Sequence, residues 1–253
     1  MTDKLDYQAP ADLLNDKIIL VTGAGDGIGR VAALTYARHG ATVILLGRTI
    51  SKLEKVYDEI EQQGSPQPAI FPLNFEGATL KDYRDMAETL DQEFGRLDGI
   101  LHNAGLLGRI TPFENYNPEL WEQVMQVNIN GPIWMTQSLL PLLKASSDAS
   151  VIFTSSGVGR KGRAYWGAYS VSKFATEGFV EVLADELDNL TSIRVNSLNP
   201  GATRTQMRKT AFPAEDPGVL RTPEDIMPTY LWLMGPESSG HSGERFDAQP
   251  PKQ

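Results

Sequence analysis

Short, strongly apolar runs alternate along this chain with longer segments in which apolar residues recur every three or four positions. The runs at 18–22, 42–46, 69–73, 99–102, 150–154, 193–198 and 245–247 have the length and β-branched content of strands. They lack the apolar–polar alternation of a strand with one wet face. Between them Leu53, Val56, Tyr57 and Ile60 form one helical stripe, and Leu80, Tyr83, Met86, Ala87, Leu90 and Phe94 form another. A third stripe is Val171, Ala175, Gly178, Phe179, Val182, Leu183 and Leu187, a face that burial in the monomer or pairing with a second copy would cover alike. Strands that need cover on both faces, each followed by a helix, predict an α/β chain: a doubly wound parallel β-sheet of about seven strands flanked by helices on both faces. With no repeat or linker, residues 1–253 are expected to form a single domain, 1–16 being an N-terminal extension. The segment 204–222, rich in charge, Pro and Gly, reads either as a mobile substrate loop or lid or as a plain surface excursion.

Composition narrows the function classes. Lys+Arg number 23 against 32 Asp+Glu, a net charge of −9, the wrong sign for nucleic acid. There is no cysteine, and His39, His102 and His241 are scattered, so no disulfide framework, thiolate nucleophile or Cys/His metal site is expected. No apolar run reaches the ~18 residues a spanning helix requires, and the polar amino terminus lacks a secretory core; the expectation is a cytoplasmic protein without a membrane partner.

The first run leads straight into Thr22-Gly23-Ala24-Gly25-Asp26-Gly27-Ile28-Gly29, followed at once by helical periodicity. Glycine at 23 suits a tight turn, at 27 close approach of a pyrophosphate, and at 29 close packing of helix on sheet. The helix start then presents N–H groups and its positive dipole end to an anion, which points to a Rossmann-like dinucleotide site. After the second run, where a carboxylate would accept from a ribose 2′-hydroxyl, stand Gly47 and Arg48. A guanidinium there suits a 2′-phosphate, so NADP(H) is expected ahead of NAD(H), although Asp26 in the loop weakens that preference and Arg48 at a helix start can also be merely solvated.

Tyr169 and Lys173 are spaced i, i+4 in a helical segment, which places phenol and ammonium on one face. A cation beside a phenol lowers its pKa from about 10 and fits it for proton transfer to a carbonyl or from an alcohol. Such pairs are common by chance. Ser156, 13 residues earlier at the end of a predicted strand, strengthens the case.

Thr22-Gly23 with Gly27-Ile28-Gly29, Asn103-Ala104-Gly105, Ser156, Tyr169-x-x-x-Lys173 and Pro200-Gly201, in this order, resemble the short-chain dehydrogenase/reductase family, single-domain branch, over about residues 15–248. The stretches 12–16, 102–108 and 224–228 look closest to its bacterial YciK-like subgroup. The resemblance implies Tyr169 as acid/base, Lys173 as the group that tunes it and holds the nicotinamide ribose, and Ser156 as a hydrogen-bond partner of the substrate oxygen. It implies that the main-chain carbonyl of Asn128 anchors a water in a proton relay to the lysine. Asn103, Ala104 and Gly105 would line the adenosine side, and Pro200, Gly201, Thr203 and Thr205 would meet the nicotinamide carboxamide and phosphates. It also implies a homodimer or homotetramer, to which the segments 121–135 and 174–187 could contribute.

Independently of the family, Pro132 has no N–H to give the carbonyl of Asn128 in a helix. That oxygen is free to hold a water, unless Pro132 is no more than a helix break. Two departures from the family pattern stand out. Asn74 replaces a common aspartate at the adenine, keeping an acceptor without the charge. Phe246-Asp247-Ala248 replaces Val-Asp-Gly-Gly, which weakens the case for a tetramer. The stretches 105–112 and 159–166 and the loop after Pro200 are expected around the substrate, bringing Leu106, Leu107, Tyr165, Trp166, Met207 and Phe212 beside Arg109, Arg160, Lys161 and Arg163. They suit a small apolar or aromatic carbonyl or alcohol that could carry an anion. The expected activity is hydride transfer between nicotinamide C4 and that substrate. The alternatives are a dinucleotide-binding regulator or scaffold without turnover, and an epimerase or dehydratase using the same Tyr and Lys.

Overall fold

The computed structural model describes residues 4–188 and 190–250. The expected domain of 1–253 therefore includes residues 1–3, 189 and 251–253, which lie outside the described residues. Strands β1 (Ile18–Thr22), β2 (Thr42–Gly47), β3 (Ala69–Pro72), β4 (Gly99–His102), β5 (Ser150–Thr154), β6 (Arg194–Asn199) and β7 (Arg245–Asp247) form one sheet in the order β3-β2-β1-β4-β5-β6-β7. Every neighbouring pair is parallel. The expected strands match apart from shifts of one residue at the ends of β2, β3 and β6.

Successive side chains feed two separate cores, because the pleat turns them to opposite faces. Ile19, Val21, Val43, Leu45, Leu101 and Ile152 pack with α1 (Gly27–Arg38), α2 (Ile50–Gln62) and α8 (Met227–Met234). Leu20, Ile44, Leu46, Ile100, Val151 and Phe153 pack with α3 (Leu80–Phe94), α5 (Gly131–Lys144) and α6 (Gly167–Leu187). The amino-terminal stretch joins the first core through buried Leu14 and the partly buried Leu5, Tyr7, Ala9 and Leu13. Strand order reverses between β1 and β4, and at such a switch point the two carboxyl-terminal loops part to leave a crevice.

One local reading changes, and one left open is decided. Between α4 (Pro118–Met125) and α5 the backbone widens into a π-helical turn over Gln126–Asn130, in which the N–H of Gly131 reaches the carbonyl of Gln126. The break expected at Pro132 is thus taken up one turn earlier as a bulge, without interrupting the rod. In α6 the apolar stripe is divided: Val171, Ala175, Gly178 and Val182 are exposed, whereas Leu183 and Leu187 are buried with Val180 in the core. In the first half of the helix the buried positions are instead polar, among them Ser172, Lys173, Thr176 and Glu177.

The segment 204–222 is an organised excursion. It carries α7 (Gln206–Ala211), and at its base Thr203 bridges Arg221 while the Arg204 guanidinium donates to the carbonyls of Pro217, Gly218 and Leu220.

Candidate active site

A cleft of about 700 Å³ opens along the carboxyl ends of the strands. Gly23, Gly25, Asp26, Gly27, Ile28, Arg48, Asn74, Asn103, Ala104, Gly105, Ser156, Tyr169, Lys173, Pro200, Gly201, Thr203 and Thr205 all line it. Gly29 and Asn128 stand behind its wall, and each has a reason to. A Cβ on Gly29 would lie 2.3 Å from the carbonyl oxygen of Gly23, so only glycine lets α1 start this close to β1. Gly23 itself takes φ +67°, the left-handed turn expected of it.

At the glycine-loop end, Asp26 caps α1 by accepting the Gly27 N–H at 2.8 Å, and its other oxygen meets Lys52 Nζ at 2.5 Å. That lysine, ahead of burial, holds the Asp26 carboxyl below the usual range. Arg48 pairs with Glu76 at 2.9 Å, and Asn74 accepts the Glu76 N–H. Lys52 was missed in the sequence. It lies one helical turn beyond Arg48, and that spacing was the available signal. Its charge offsets the carboxylate of Asp26.

Asn103 secures the floor: its N–H and that of Ala104 both donate to Thr22 Oγ1 at 2.9 Å. His102, just before it, is stacked on Phe153 at 4.3 Å and lies 2.8 Å from Thr136 Oγ1. The Thr136 hydroxyl spends its hydrogen on the Pro132 carbonyl, so His102 Nε2 is the donor in that pair. Burial, then the Lys173 charge, push the imidazole down to about 3, and it is neutral.

At the other end Ser156, Tyr169 and Lys173 converge. Ser156 leaves β5 and opens a short 3-10 turn, Gly157–Gly159, that packs on α6. A Cβ on Gly159 would lie 2.6 Å from Lys173 Cβ and within 2.9 Å of the lysine's backbone. Lys173 Nζ donates to the Thr154 carbonyl at 2.7 Å and lies 5.7 Å from the centroid of the Tyr169 ring. Burial brings the lysine down to about 8, with Glu177 pulling the other way. The expectation for tyrosine needs correction: burial pushes the phenol up to about 12, and the opposing influence is its hydrogen bond with Ser156, not the ammonium. Desolvation of the phenolate outweighs stabilisation by a cation across the ring.

Asn128 has a further task that its sequence position did not disclose. Its side chain brackets the backbone of Leu106, accepting the N–H at 2.7 Å and donating to the carbonyl at 3.0 Å, and also donates to Ser172 Oγ at 2.9 Å. It thereby ties the loop after β4 to α6. Glu177, one turn beyond Lys173 and 2% exposed, was also missed, as it is one of four acids in its helix and carries no motif of its own. It accepts from Ser155, Ser197 and Arg160 and meets Arg245 at 3.4 Å. Arg160 continues to Asp247 and to the Phe246 carbonyl, which fastens β7 beneath the site.

On the substrate side only part of the expected lining arrives. Leu106, Leu107, Gly108, Trp166, Met207 and Phe212 reach the cleft. Among the described residues, Arg109, Arg160, Lys161, Arg163 and Tyr165 are not part of its lining.

Fold, glycine loop and the Ser–Tyr–Lys cluster together define a nucleotide-dependent oxidoreductase of the short-chain type. The family model for short chain dehydrogenases matches residues 17–216, and the chain belongs to that family. It is 57% identical over 244 residues to the uncharacterized oxidoreductase YciK of Escherichia coli (strain K12), covering 96% of each chain. A short chain dehydrogenase from Pseudomonas syringae superimposes with a TM-score of 0.95 at 57% identity, over 96% of this chain and 99% of the other. One from Shigella flexneri 2a str. 301, complexed with NADP, gives 0.93 at 56% identity over 95% and 100%. Among the described residues no helix is long and apolar enough to cross a membrane, and no group of three potential ligands could hold a metal ion.

Proposed function

We propose that this chain, folded as one dinucleotide-binding domain, is an NADP(H)-dependent oxidoreductase that moves a hydride between nicotinamide C4 and a carbonyl or secondary alcohol, with Tyr169 as acid/base. The observation that carries the reading is that one continuous cleft joins Arg48 and Lys52, through the start of α1, to Ser156, Tyr169 and Lys173. A dinucleotide fits these residues: cations at the 2′-phosphate end, glycine backbone at the pyrophosphate, and the acid/base cluster at the nicotinamide. The NADP complex of the Shigella flexneri relative supports the same cofactor here.

When bound, the reduced nicotinamide supplies the hydride that forms the new C–H bond. Ser156 donates to the carbonyl oxygen and orients it. Tyr169, held protonated by a pKa of about 12, gives its proton to that oxygen as the C=O bond becomes C–O–H. Lys173, brought down to about 8, is the better donor of the two and returns a proton to the phenolate. The resting protonation states thus support carbonyl reduction. Asn128 would serve twice, through the brace on Leu106 and through a carbonyl that Pro132 cannot satisfy. The exposed apolar face of α6, with Val171, Phe174 and Val182, supports pairing with a second copy.

The test is a panel of carbonyl compounds with NADPH, run on the wild type and on Tyr169→Phe. Turnover is expected to fall by roughly 10²–10⁴-fold, the contribution of a positioned acid. The dissociation constant for NADPH is expected to be unchanged. Equal turnover in the two proteins would remove Tyr169 from the chemistry, whereas no turnover by the wild type on any carbonyl would favour the scaffold reading.

A further inference from the structure

We infer that the substrate is an uncharged ketone, or the matching secondary alcohol, that carries an aromatic or alicyclic ring and bears no carboxylate or phosphate near the carbonyl. The inference rests on the oxidoreductase reading above and adds the chemical class.

Beyond Tyr169 the cleft wall is a chain of rings. Trp166 lies 5.8 Å from Tyr169, and Phe212 lies 5.8 Å from Trp166, both tilted contacts. Leu107, Val158 and Ala211 complete the cluster around the phenol. A flat apolar group with its carbonyl at Ser156 and Tyr169 would lie along this wall, while Met207 supplies a deformable surface.

Charge decides against an anion. The acidic and basic side chains lining the cleft fall into three places: Asp26, Arg48, Lys52 and Glu76 at the glycine-loop end, Lys173 beneath Tyr169, and Arg208 at the ring end. Arg208 is already matched. Its guanidinium makes two bonds to Glu215, at 2.6 and 2.7 Å, and lies 3.7 Å from the Phe212 ring centroid. It stiffens the end of α7 and holds Phe212 against the cleft. Arg160, one of the basic residues expected around the substrate, is outside the lining and committed to Glu177 and Asp247. A carboxylate brought to the ring wall would therefore have to break an existing ion pair or lie unpaired on apolar surface, and both are costly.

Three probes test this: propiophenone, its para-carboxylate, and pyruvate. Each is followed by NADPH oxidation and by saturation-transfer NMR on the protein with NADP⁺. The expected result is kcat/KM at least about 10-fold higher for propiophenone than for either anion, with saturation transfer to its ring protons. Phe212→Ala should raise KM for propiophenone about 10-fold, and by a clearly larger factor than it raises KM for acetone, since only the ring meets that wall. Better reduction of either anion would overturn the substrate class and leave the oxidoreductase reading standing. If no probe is reduced, the NMR decides the class, and the carbonyl panel above decides the oxidoreductase reading separately: binding of the neutral ring alone upholds the class, whereas equal binding of the carboxylate, or none of propiophenone, overturns it.

Discussion

Tyr169 shows how far a spacing rule reaches at the residue scale. Four residues put phenol and ammonium on one face, but burial determines which protonation state each prefers, and it pushes them in opposite directions, to about 12 and about 8. Their relative position also depends on a residue with no side chain. Gly159 lets the turn after β5 lie directly on Lys173, with 2.6 Å between the position of a would-be methyl and Lys173 Cβ. Gly159→Ala is therefore expected to cost about 1–3 kcal/mol of stability through overpacking and to displace the lysine. Urea denaturation would read the first effect. For the second, turnover should fall while binding of 2′,5′-ADP, which occupies the far end of the cleft, stays unchanged. A variant with wild-type turnover would show that the turn yields without moving the lysine.

At the scale of elements, α6 turns polar residues inward in its first half and apolar ones in its second. The inward face is tolerable because each buried group has partners: Glu177 alone receives Ser155, Ser197, Arg160 and Arg245. The titratable groups that bear on Lys173 are Tyr169 and Glu177 on the same helix and His102, held neutral, at the end of β4. Of these Glu177 alone supplies a negative charge, and it raises the lysine pKa. Glu177→Gln should move the Lys173 titration to lower pH by up to about one unit. Reduction, which needs the ammonium to reprotonate Tyr169, should then be lost from a lower pH upward. Titration of the ¹⁵N-labelled side chain by NMR, beside the pH profile of NADPH turnover, would check both. An unmoved midpoint would leave Glu177 a purely structural role. Stability should fall as well, by about 1–3 kcal/mol, since two guanidinium groups lose their buried anion while the amide keeps part of the hydrogen bonding.

For the molecule as a whole, cofactor choice is settled where three elements meet: the end of β2, the first turn of α2 and the start of α1. Arg48 and Lys52 converge there from one stretch of chain, each already paired with a carboxylate, Glu76 and Asp26. A 2′-phosphate would compete for both cations. Arg48→Ala is expected to weaken NADP(H) binding by about 10–100-fold, the worth of a charge-assisted hydrogen bond, and to leave NAD(H) within about twofold. Lys52→Ala should cost NADP(H) at least as much, because it also leaves the Asp26 carboxylate unopposed beside the phosphate. Calorimetric titration with both cofactors at two salt concentrations would measure this. Equal losses for NADP(H) and NAD(H) would show that the pair supports the loop and does not select the phosphate.

The strands, their order of appearance and the glycine loop were legible in the chain because they depend on local causes: runs too apolar for a wet face, and glycines where a side chain cannot fit. Ser156, Tyr169 and Lys173 were legible because their spacing survives any packing of the rest. The roles of Glu177, Lys52 and the Asn128 side chain were not, since each depends on partners from 17 to 68 residues away along the chain that only folding brings near. Which face of α6 turns inward was not legible for a related reason. Periodicity reports which residues share a face, but which face turns inward is set by what it meets, and here β5, β6 and β7 meet it with hydroxyls and guanidinium groups that an apolar stripe could not satisfy.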